Sequence, residues 1–344
     1  MFPLNAWYAV AWDHEIKREL FARTVCNQGL VVYRKQSGEV ATLADACWHR
    51  KLPLSLGRLD GDTVICGYHG LEFAADGKCT KMPSQDKINP RACVRAYPTA
   101  ERYRFVWVWM GDPKLADQDK IPEILGRMNQ DGWTGDGETI NMQADYRLVV
   151  DNLMDLTHET YVHGGTIGDD NVAEAPFKVD SDTSQVTLTR WMENTIPAPF
   201  WRAQLGKDGN VDRWQIIRFS PPSTIAIDVG VAPTGTGAPD GDRSQGVNGM
   251  VLNTVTPETD NSCHYFWAFT RNYDLDSVVR TTQLRDGVST IFKQDIVVIE
   301  AQQKVFDRDP DAKFVNLNID AGAVNARRLI SKMVETETQA EPSP

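Results

Sequence analysis

The sequence predicts an α+β protein of two domains, with a small antiparallel β domain at the N-terminus and a larger domain carrying the long helices. Three observations lead there. The 344 residues suit two domains at roughly 150 residues each. The first third is cut by turn signals into short β-rich runs. The long helical patterns, Tyr146–Tyr161 and Asp276–Phe306, lie beyond that third.

The composition is that of an ordinary globular chain, 41% hydrophobic and 24% charged, enough to build a sizeable core. Its net charge of −11 argues against nucleic acid, which is gripped by dense Lys and Arg. No window approaches the ~18 apolar residues of a membrane span. The opening Met1-Phe-Pro-Leu-Asn-Ala-Trp-Tyr lacks the features of a signal peptide, so a reduced, cytoplasmic setting is expected. The six cysteines are then not a disulfide scaffold.

The β-rich runs are Leu30–Tyr33, Val40–Leu43, Thr63–Cys66 and Phe105–Met110, with turn signals at Gly57, Asp60-Gly61, Asp76-Gly77 and Gly111-Asp112-Pro113. The stretch Asp112–Pro122 is polar and interrupted, as a linker is. The expected division is a first domain over 1–116, a linker over 117–137, a second domain over 138–334 and a frayed polar tail over 335–344.

Histidine is scarce, with six in the chain, and four fall into two compact clusters. The first is Cys47-Trp-His49 followed by Cys66-Gly-Tyr-His69. Each loop offers one thiolate and one imidazole, which suits zinc or an iron–sulfur cluster. In a Rieske [2Fe–2S] centre two Cys hold one iron and two His the other, and Cys-x-His with Cys-x-x-His matches that arrangement. Zinc knuckles more often pair Cys with Cys and His with His. Gly67 and Gly70 flank the second pair, as expected where backbone approaches inorganic sulfide closely. Tyr68 is either a donor to a sulfur or a packed aromatic. Cys79 and Cys93 have no ligand partners at useful spacing and read as packed thiols.

The second cluster is Asp155-Leu-Thr-His158-Glu-Thr-Tyr-Val-His163, within the helical pattern Tyr146–Tyr161 and before the stop signal Gly164-Gly165. At about 100° per residue, Asp155 and His158 share a face. His163 falls off that face unless the helix is distorted or makes a π-type turn. The plain alternative is two unrelated surface histidines. In Asp276–Phe306 the apolar stripe contains Val288, Ile291, Phe292, Ile299 and Phe306, and Asp295 falls on it. A carboxylate on a buried face needs a partner or a metal. Two His and one carboxylate with open positions form the non-haem Fe(II) facial triad that binds dioxygen, the alternative being a buried salt bridge. Asp286 and Glu300 compete as the carboxylate but sit on more polar faces.

A cluster that moves single electrons, together with a ferrous site that activates dioxygen, implies an oxygenase. No Gly-rich nucleotide fingerprint follows a strand, so electrons must come from a separate reductase.

With these motifs, and with Asn152-Leu-Met-Asp155 leading into them, the chain closely resembles the oxygenase components of Rieske non-haem iron oxygenases. Within that family it resembles the vanillate O-demethylase group, with dicamba monooxygenase a more distant relative. The likeness extends through Asn5-Ala-Trp-Tyr8, Cys66–Glu72, Asp151–His163, Pro199-Phe-Trp-Arg202, Val211–Gln215, Thr256-Pro-Glu258 and Leu317–Gly322. It implies a Rieske domain and a catalytic domain on a helix-grip sheet, in a head-to-tail homotrimer. The cluster ligands would be Cys47, His49, Cys66 and His69, and the iron ligands His158, His163 and Asp295. Asp155 would bridge His158 to His69 of the neighbouring subunit, with Asn152 close to the iron. The partner would be a reductase with flavin and a plant-type [2Fe–2S] centre, using NAD(P)H. The implied reaction is O-demethylation of a methoxybenzoate, most simply vanillate to protocatechuate plus formaldehyde, through a hemiacetal that collapses. Isovanillate, veratrate or a methyl-hydroxylation substrate is the alternative, and a carrier without catalysis the non-enzyme one. Trp48 and Lys51-Leu52 depart from the family's usual pattern at the first loop, with a changed docking surface or potential as the expected consequence.

A benzoate needs a cation or several donors to anchor its carboxylate. Arg202, Arg213, Arg218 and Asn253 are candidates for that role, the alternative being a surface or structural residue, and Trp201 and Trp214 are either flat apolar walls or core packing. Pro233–Gly246, rich in Gly, Pro and Asp, is expected to be a loop, either over the mouth of the site or a surface excursion.

Overall fold

The computed structural model describes residues 1–340 and divides into two compact units. The first comprises Met1–Ile121 with the hairpin tip Thr256–Asp260, and the second holds Pro122–Val255 and Asn261 onward.

The first unit is all antiparallel β. Strand Trp7–Trp12 pairs with Phe105–Trp109, which pairs with Thr99–Arg102. A four-stranded sheet runs through Phe21–Val25, Gln28–Arg34, Val40–Ala44 and Ala96–Tyr97, and another through Arg58–Asp60, Thr63–Ile65, Glu72–Phe73 and Cys79–Lys81. The four predicted runs are therefore strands. Val31, Tyr33, Leu43, Leu54, Val64 and Phe73 form the core between the last two sheets. Thr256 Oγ1 donates to the carbonyl of Ala9 at 2.6 Å, and the amides of Cys26 and Asn27 bond the carbonyls of Pro257 and Glu258.

The second unit is a 7-stranded antiparallel sheet in the order Thr134–Met142, Ser262–Arg271, Val247–Thr259, Thr224–Pro233, Val211–Ser220, Val186–Thr195, Phe177–Ser181. Six strands follow one another as a meander, and the earliest closes the far edge. Helices α1 (Tyr146–Met154), α2 (Glu159–Val162), α3 (Asp170–Glu174) and α4 (Pro199–Leu205) come from the connections. The long helix α5 (Val278–Arg308) packs on the first two strands of that order, and α6 (Ala321–Ala340) packs on α1 and the opposite edge.

Helix α5 buries Leu284, Val288, Ile291, Phe292, Asp295, Ile299 and Gln303, a stripe at helical spacing. Ser277 caps its start by accepting from the Arg280 amide.

Two expectations about organisation differ from what is observed. The span expected as linker holds structure of its own: Trp7 Nε1 donates to the Asp117 carbonyl at 2.7 Å, and strand Thr134–Met142 begins inside it. Helix α6 continues to Ala340, where a frayed tail is expected; the rest of that tail lies outside the described residues. Loop 234–246 is the surface excursion of the two alternatives: most of its residues are exposed and none lines the cavity next to Asp295. Arg243 bonds Asp228 at 2.9 Å and stacks over Trp214, and Ala238 is buried beside that ring.

Candidate metal centres and substrate cavity

The two Cys/His loops are built as the same turn. The Cys47 amide donates to Leu52 O and the Lys51 amide returns to Cys47 O; the Cys66 amide donates to Leu71 O and the Gly70 amide returns to Cys66 O. The fifth residue of each turn is left-handed, Lys51 at φ +60° and Gly70 at φ +72°. Asp45 ties the first loop down through the amide and hydroxyl of Ser55, at 2.7 and 2.6 Å.

The turns sort their ligands by chemistry. Cys47 and Cys66 are each 2% exposed and neighbour one another, while His49 and His69 stand exposed with ring centroids 4.7 Å apart. Burial, with the second thiol beside it, pushes the Cys47 thiol up in pKa. Tyr68 is 62% exposed and lies on the His69 ring at 3.8 Å, so it is not a packed core aromatic. Trp48 and Leu52 pack against the domain core. Gly67 has a packing reason: a Cβ there would stand 2.8 Å from Leu56 O. Cys79 is buried as expected, but Cys93 is exposed, because on its short bridge with Lys78 it alternates with Ala92 and Val94, which take the core side.

In the second unit the segment 146–163 is not one helix. Helix α1 ends at Met154, and Asp155 is extended at φ −134°, ψ 104°. Its carboxylate accepts from the Thr157 amide at 2.9 Å and starts a new turn that leads into α2. His158 then precedes α2 and His163 ends it, so the five-residue spacing needs no π-turn. Past His163 the chain reverses through Gly165, at φ +84°, as the glycine pair predicts.

The break aims the imidazoles. His158 Nδ1 lies 2.6 Å from the Asp155 carbonyl, and His163 Nδ1 lies 2.7 Å from Gln294 Oε1. Both acceptors fix the proton on Nδ1 and leave each Nε2 as a ligand atom. Those atoms lie 3.4 and 3.2 Å from Asp295 Oδ1, which also accepts from Asn152 Nδ2 at 3.2 Å. The three side chains present one ligand atom each within 4.8 Å of one another. Burial would raise the pKa of Asp295, but the two imidazoles outweigh it and hold it at about 2. Burial would lower that of His158, and the carboxylate reverses this too. Of the competing carboxylates, Asp286 pairs with Arg285 and Glu300 accepts from the Gln143 amide.

The turn rests on a buried polar layer that the sequence does not reveal. Glu159 Oε2 accepts from Arg213 Nη2 at 2.7 Å and Gln215 Nε2 at 2.9 Å, and Arg190 Nη2 donates to Thr157 Oγ1 at 2.9 Å. Leaving one charge of such a pair alone typically costs about 3–5 kcal/mol.

The triad opens on a cavity of about 630 Å³ of empty space, walled by Phe200, Trp201, Ile227, Val229, Phe269 and Phe292 among others. Arg213 and Trp201 line it. Arg202 is exposed, Asn253 is buried and accepts from Tyr265 Oη, and Arg218 does not line it. Trp214 is not a wall either: side chains alternate along a strand, so beside Arg213 it faces the other side of the sheet, where it bonds Asp228. On its other side His158 borders an open groove that Asp155 lines; Asn152 lines both spaces. No helix among the described residues is long and apolar enough to cross a membrane.

Comparison with known proteins agrees with this arrangement. The Rieske [2Fe-2S] domain family matches residues 6–98, and the vanillate O-demethylase oxygenase C-terminal domain matches 142–336. The chain is 41% identical to a vanillate O-demethylase oxygenase subunit from Pseudomonas sp. strain HR199, over 99% of this chain and 97% of that protein. It is 40% identical to the iron–sulfur subunit of a toluene-4-sulfonate monooxygenase system from Comamonas testosteroni, over 98% of each. It superposes on dicamba monooxygenase bound to 3,6-dichlorosalicylic acid with a TM-score of 0.92 at 32% identity, covering 99% of both chains. An antiparallel β domain matched as Rieske, and a sheet domain bearing a His, His, Asp group, place this chain among the Rieske non-haem iron oxygenases, enzymes that use a [2Fe–2S] cluster, a mononuclear iron and dioxygen.

Proposed function

We propose that this oxygenase removes the methyl group of a methoxylated benzoate, vanillate first among them, releasing formaldehyde and the phenol, protocatechuate for vanillate. The observation that carries the reading is the largely apolar cavity opening onto His158, His163 and Asp295. It suits an aromatic ring carrying a small apolar substituent. Relatives named for vanillate demethylation, at 41 and 42% identity, support the substrate class.

In this reading His158, His163 and Asp295 hold the ferrous iron, and Cys47, His49, Cys66 and His69 hold the cluster. The donor sets fit both groups: two imidazole nitrogens freed by their Nδ1 bonds beside an ionised carboxylate, and two thiols opposite two imidazoles. When bound, the iron supplies dioxygen activation and the cluster supplies electrons one at a time. The chain's own residues do the rest. Phe200, Trp201 and Phe292 flank the ring and exclude water. Asn152 steadies Asp295 through its side-chain amide. Asp155, on the groove side of His158, accepts from His69 of the partner subunit in a head-to-tail homotrimer, joining the two metal sites. The exposure of His69 supports such a contact. Electrons come from a reductase with flavin and a plant-type [2Fe–2S] centre, drawing on NAD(P)H, in the cytoplasm.

The likeness to the toluene-4-sulfonate monooxygenase subunit, at 40% identity, supports a second reading, hydroxylation of an aryl methyl group. One assay separates the two. With a compatible reductase, the enzyme is given vanillate, isovanillate, veratrate and 4-methylbenzoate. Formaldehyde from the first group supports demethylation, whereas a hydroxymethyl product from 4-methylbenzoate alone supports the second reading and excludes the first.

A further inference from the structure

Buried N–H groups without an acceptor are scarce in folded proteins, because each gives up water without replacement at about 1–3 kcal/mol. Two belong to side chains on the wall of the cavity beside Asp295. Trp201 Nε1 and Arg213 Nε have no hydrogen-bond partner, and both residues are 3% exposed. The other orphaned nitrogens, on Arg190, Trp267 and Arg271, belong to side chains that do not line this cavity.

Both side chains are held in place by other contacts. Arg213 gives Nη1 to the Ile167 carbonyl at 2.8 Å and Nη2 to Glu159 at 2.7 Å, which leaves its Nε hydrogen unspent. Trp201 stands on α4 with Phe200 packed edge-on against it, centroids 5.0 Å apart. The neighbouring wall, Ile227, Val229, Val251 and Phe269, is apolar in its side chains and offers these hydrogens no acceptor.

We infer that Trp201 Nε1 and Arg213 Nε form the subsite for an oxyacid anion, a carboxylate or a sulfonate, carried on the substrate ring. Both groups only donate, and one is cationic. An anion with two or three oxygens offers an acceptor to each. A phenol hydroxyl or an ether has a single oxygen, and the hydroxyl also needs an acceptor of its own. Glu159, with Asp169 at 3.6 Å, already balances the guanidinium charge, so the two unfilled N–H groups, rather than net charge, select the anion. Anchoring the ring here leaves its remaining substituents for the His158, His163 and Asp295 group on the same cavity. The inference rests on the aromatic-substrate reading above and names the group that orients the ring.

Titration calorimetry tests it on the holoenzyme, with benzoate, benzenesulfonate and the neutral ether anisole as probes. Trp201→Phe keeps an aromatic wall and removes the N–H. Arg213→Lys keeps the charge facing Glu159 and removes the Nε direction. In each variant, Kd for both anions should rise about tenfold or more relative to Kd for anisole. Near-UV circular dichroism and the cluster spectrum establish that the variants are folded, and either folded variant suffices. Equal weakening of all three probes, unchanged anion affinity, or failure of both anions to bind wild-type enzyme overturns the subsite. Binding is read without turnover. Wild-type enzyme that binds benzoate but releases no formaldehyde from any methoxybenzoate therefore sinks the demethylase reading and leaves the subsite standing.

Discussion

Gln294 Oε1 accepts from His163 Nδ1 at 2.7 Å, and the next residue along α5 is Asp295, whose carboxylate lies 3.2 Å from the other nitrogen of the same ring. One helical segment thus supplies both the carboxylate and the acceptor that turns the facing imidazole towards it. A histidine ligand without its outer partner loses both tautomer and orientation. Gln294→Leu is close in size and has no acceptor. Iron affinity should fall about 10–100-fold, read as iron retained per protomer after dialysis against a weak chelator. The visible cluster spectrum should be unchanged, since the cluster ligands lie in the other unit.

Asp295→Ala should abolish mononuclear iron while preserving the coloured cluster. Its neighbours offer no replacement, because Asp286 is engaged by Arg285 and Glu300 by the Gln143 amide. The same change removes the anion that holds the His158 pKa up. Iron analysis together with the Rieske-type electron paramagnetic resonance signal of the reduced protein checks both halves. Undiminished total iron would move the ligand role to another carboxylate.

What the sequence revealed and what it concealed divide along physical lines. Asp295 was legible because a carboxylate on an apolar helical stripe is an anomaly visible at the level of periodicity. The cluster loops were legible because their ligands are close in sequence and of scarce types. The break at Asp155 was not, since the apolar positions from Tyr146 onward fit one helix. What interrupts that helix is a local cap, the Asp155 side chain on the Thr157 amide. Gln294 and the Arg190, Arg213, Glu159 layer were hidden because their meaning lies in long-range pairing: Arg213 and Glu159 are 54 positions apart. Wall and core stay open for Trp214 until strand register is known, because register decides the face a residue takes, and Trp214 takes the core.

Gly67 offers a test of how the cluster loop is supported. A Cβ there would meet Leu56 O at 2.8 Å, a backbone atom that cannot swing aside. Gly67→Ala should therefore push the Cys66–His69 turn off the Leu54–Leu56 turn beneath it. The expected result is a first domain destabilised by about 1–3 kcal/mol, with a lower cluster content on purification. Cys66→Ser, which leaves the backbone alone, should instead remove the Rieske spectrum without that loss of fold. Thermal unfolding followed by circular dichroism separates the two effects.

The last prediction concerns passage of electrons to the iron. Asp155 touches the mononuclear site twice by different groups: its carbonyl accepts from His158 Nδ1, and its carboxylate caps the turn on which His158 stands. Asp155 borders the groove and not the substrate cavity, which is where the proposed bridge requires it. Asp155→Asn keeps an oxygen for the Thr157 amide and leaves the main-chain carbonyl untouched. The turn and both metals should persist. What disappears is a negative charge, together with one of the acceptor oxygens that the proposed contact with a partner subunit would use. Demethylation should fall by orders of magnitude, beyond the ~10–100-fold usual for outer-sphere changes at a metal. A structural role alone would show up as lost iron. A bridging role shows up in single-turnover mixing, where a reduced cluster is no longer oxidised when substrate and dioxygen are added, although iron content is normal. Near-normal cluster oxidation and formaldehyde yield in this variant would show that the two centres communicate by another route.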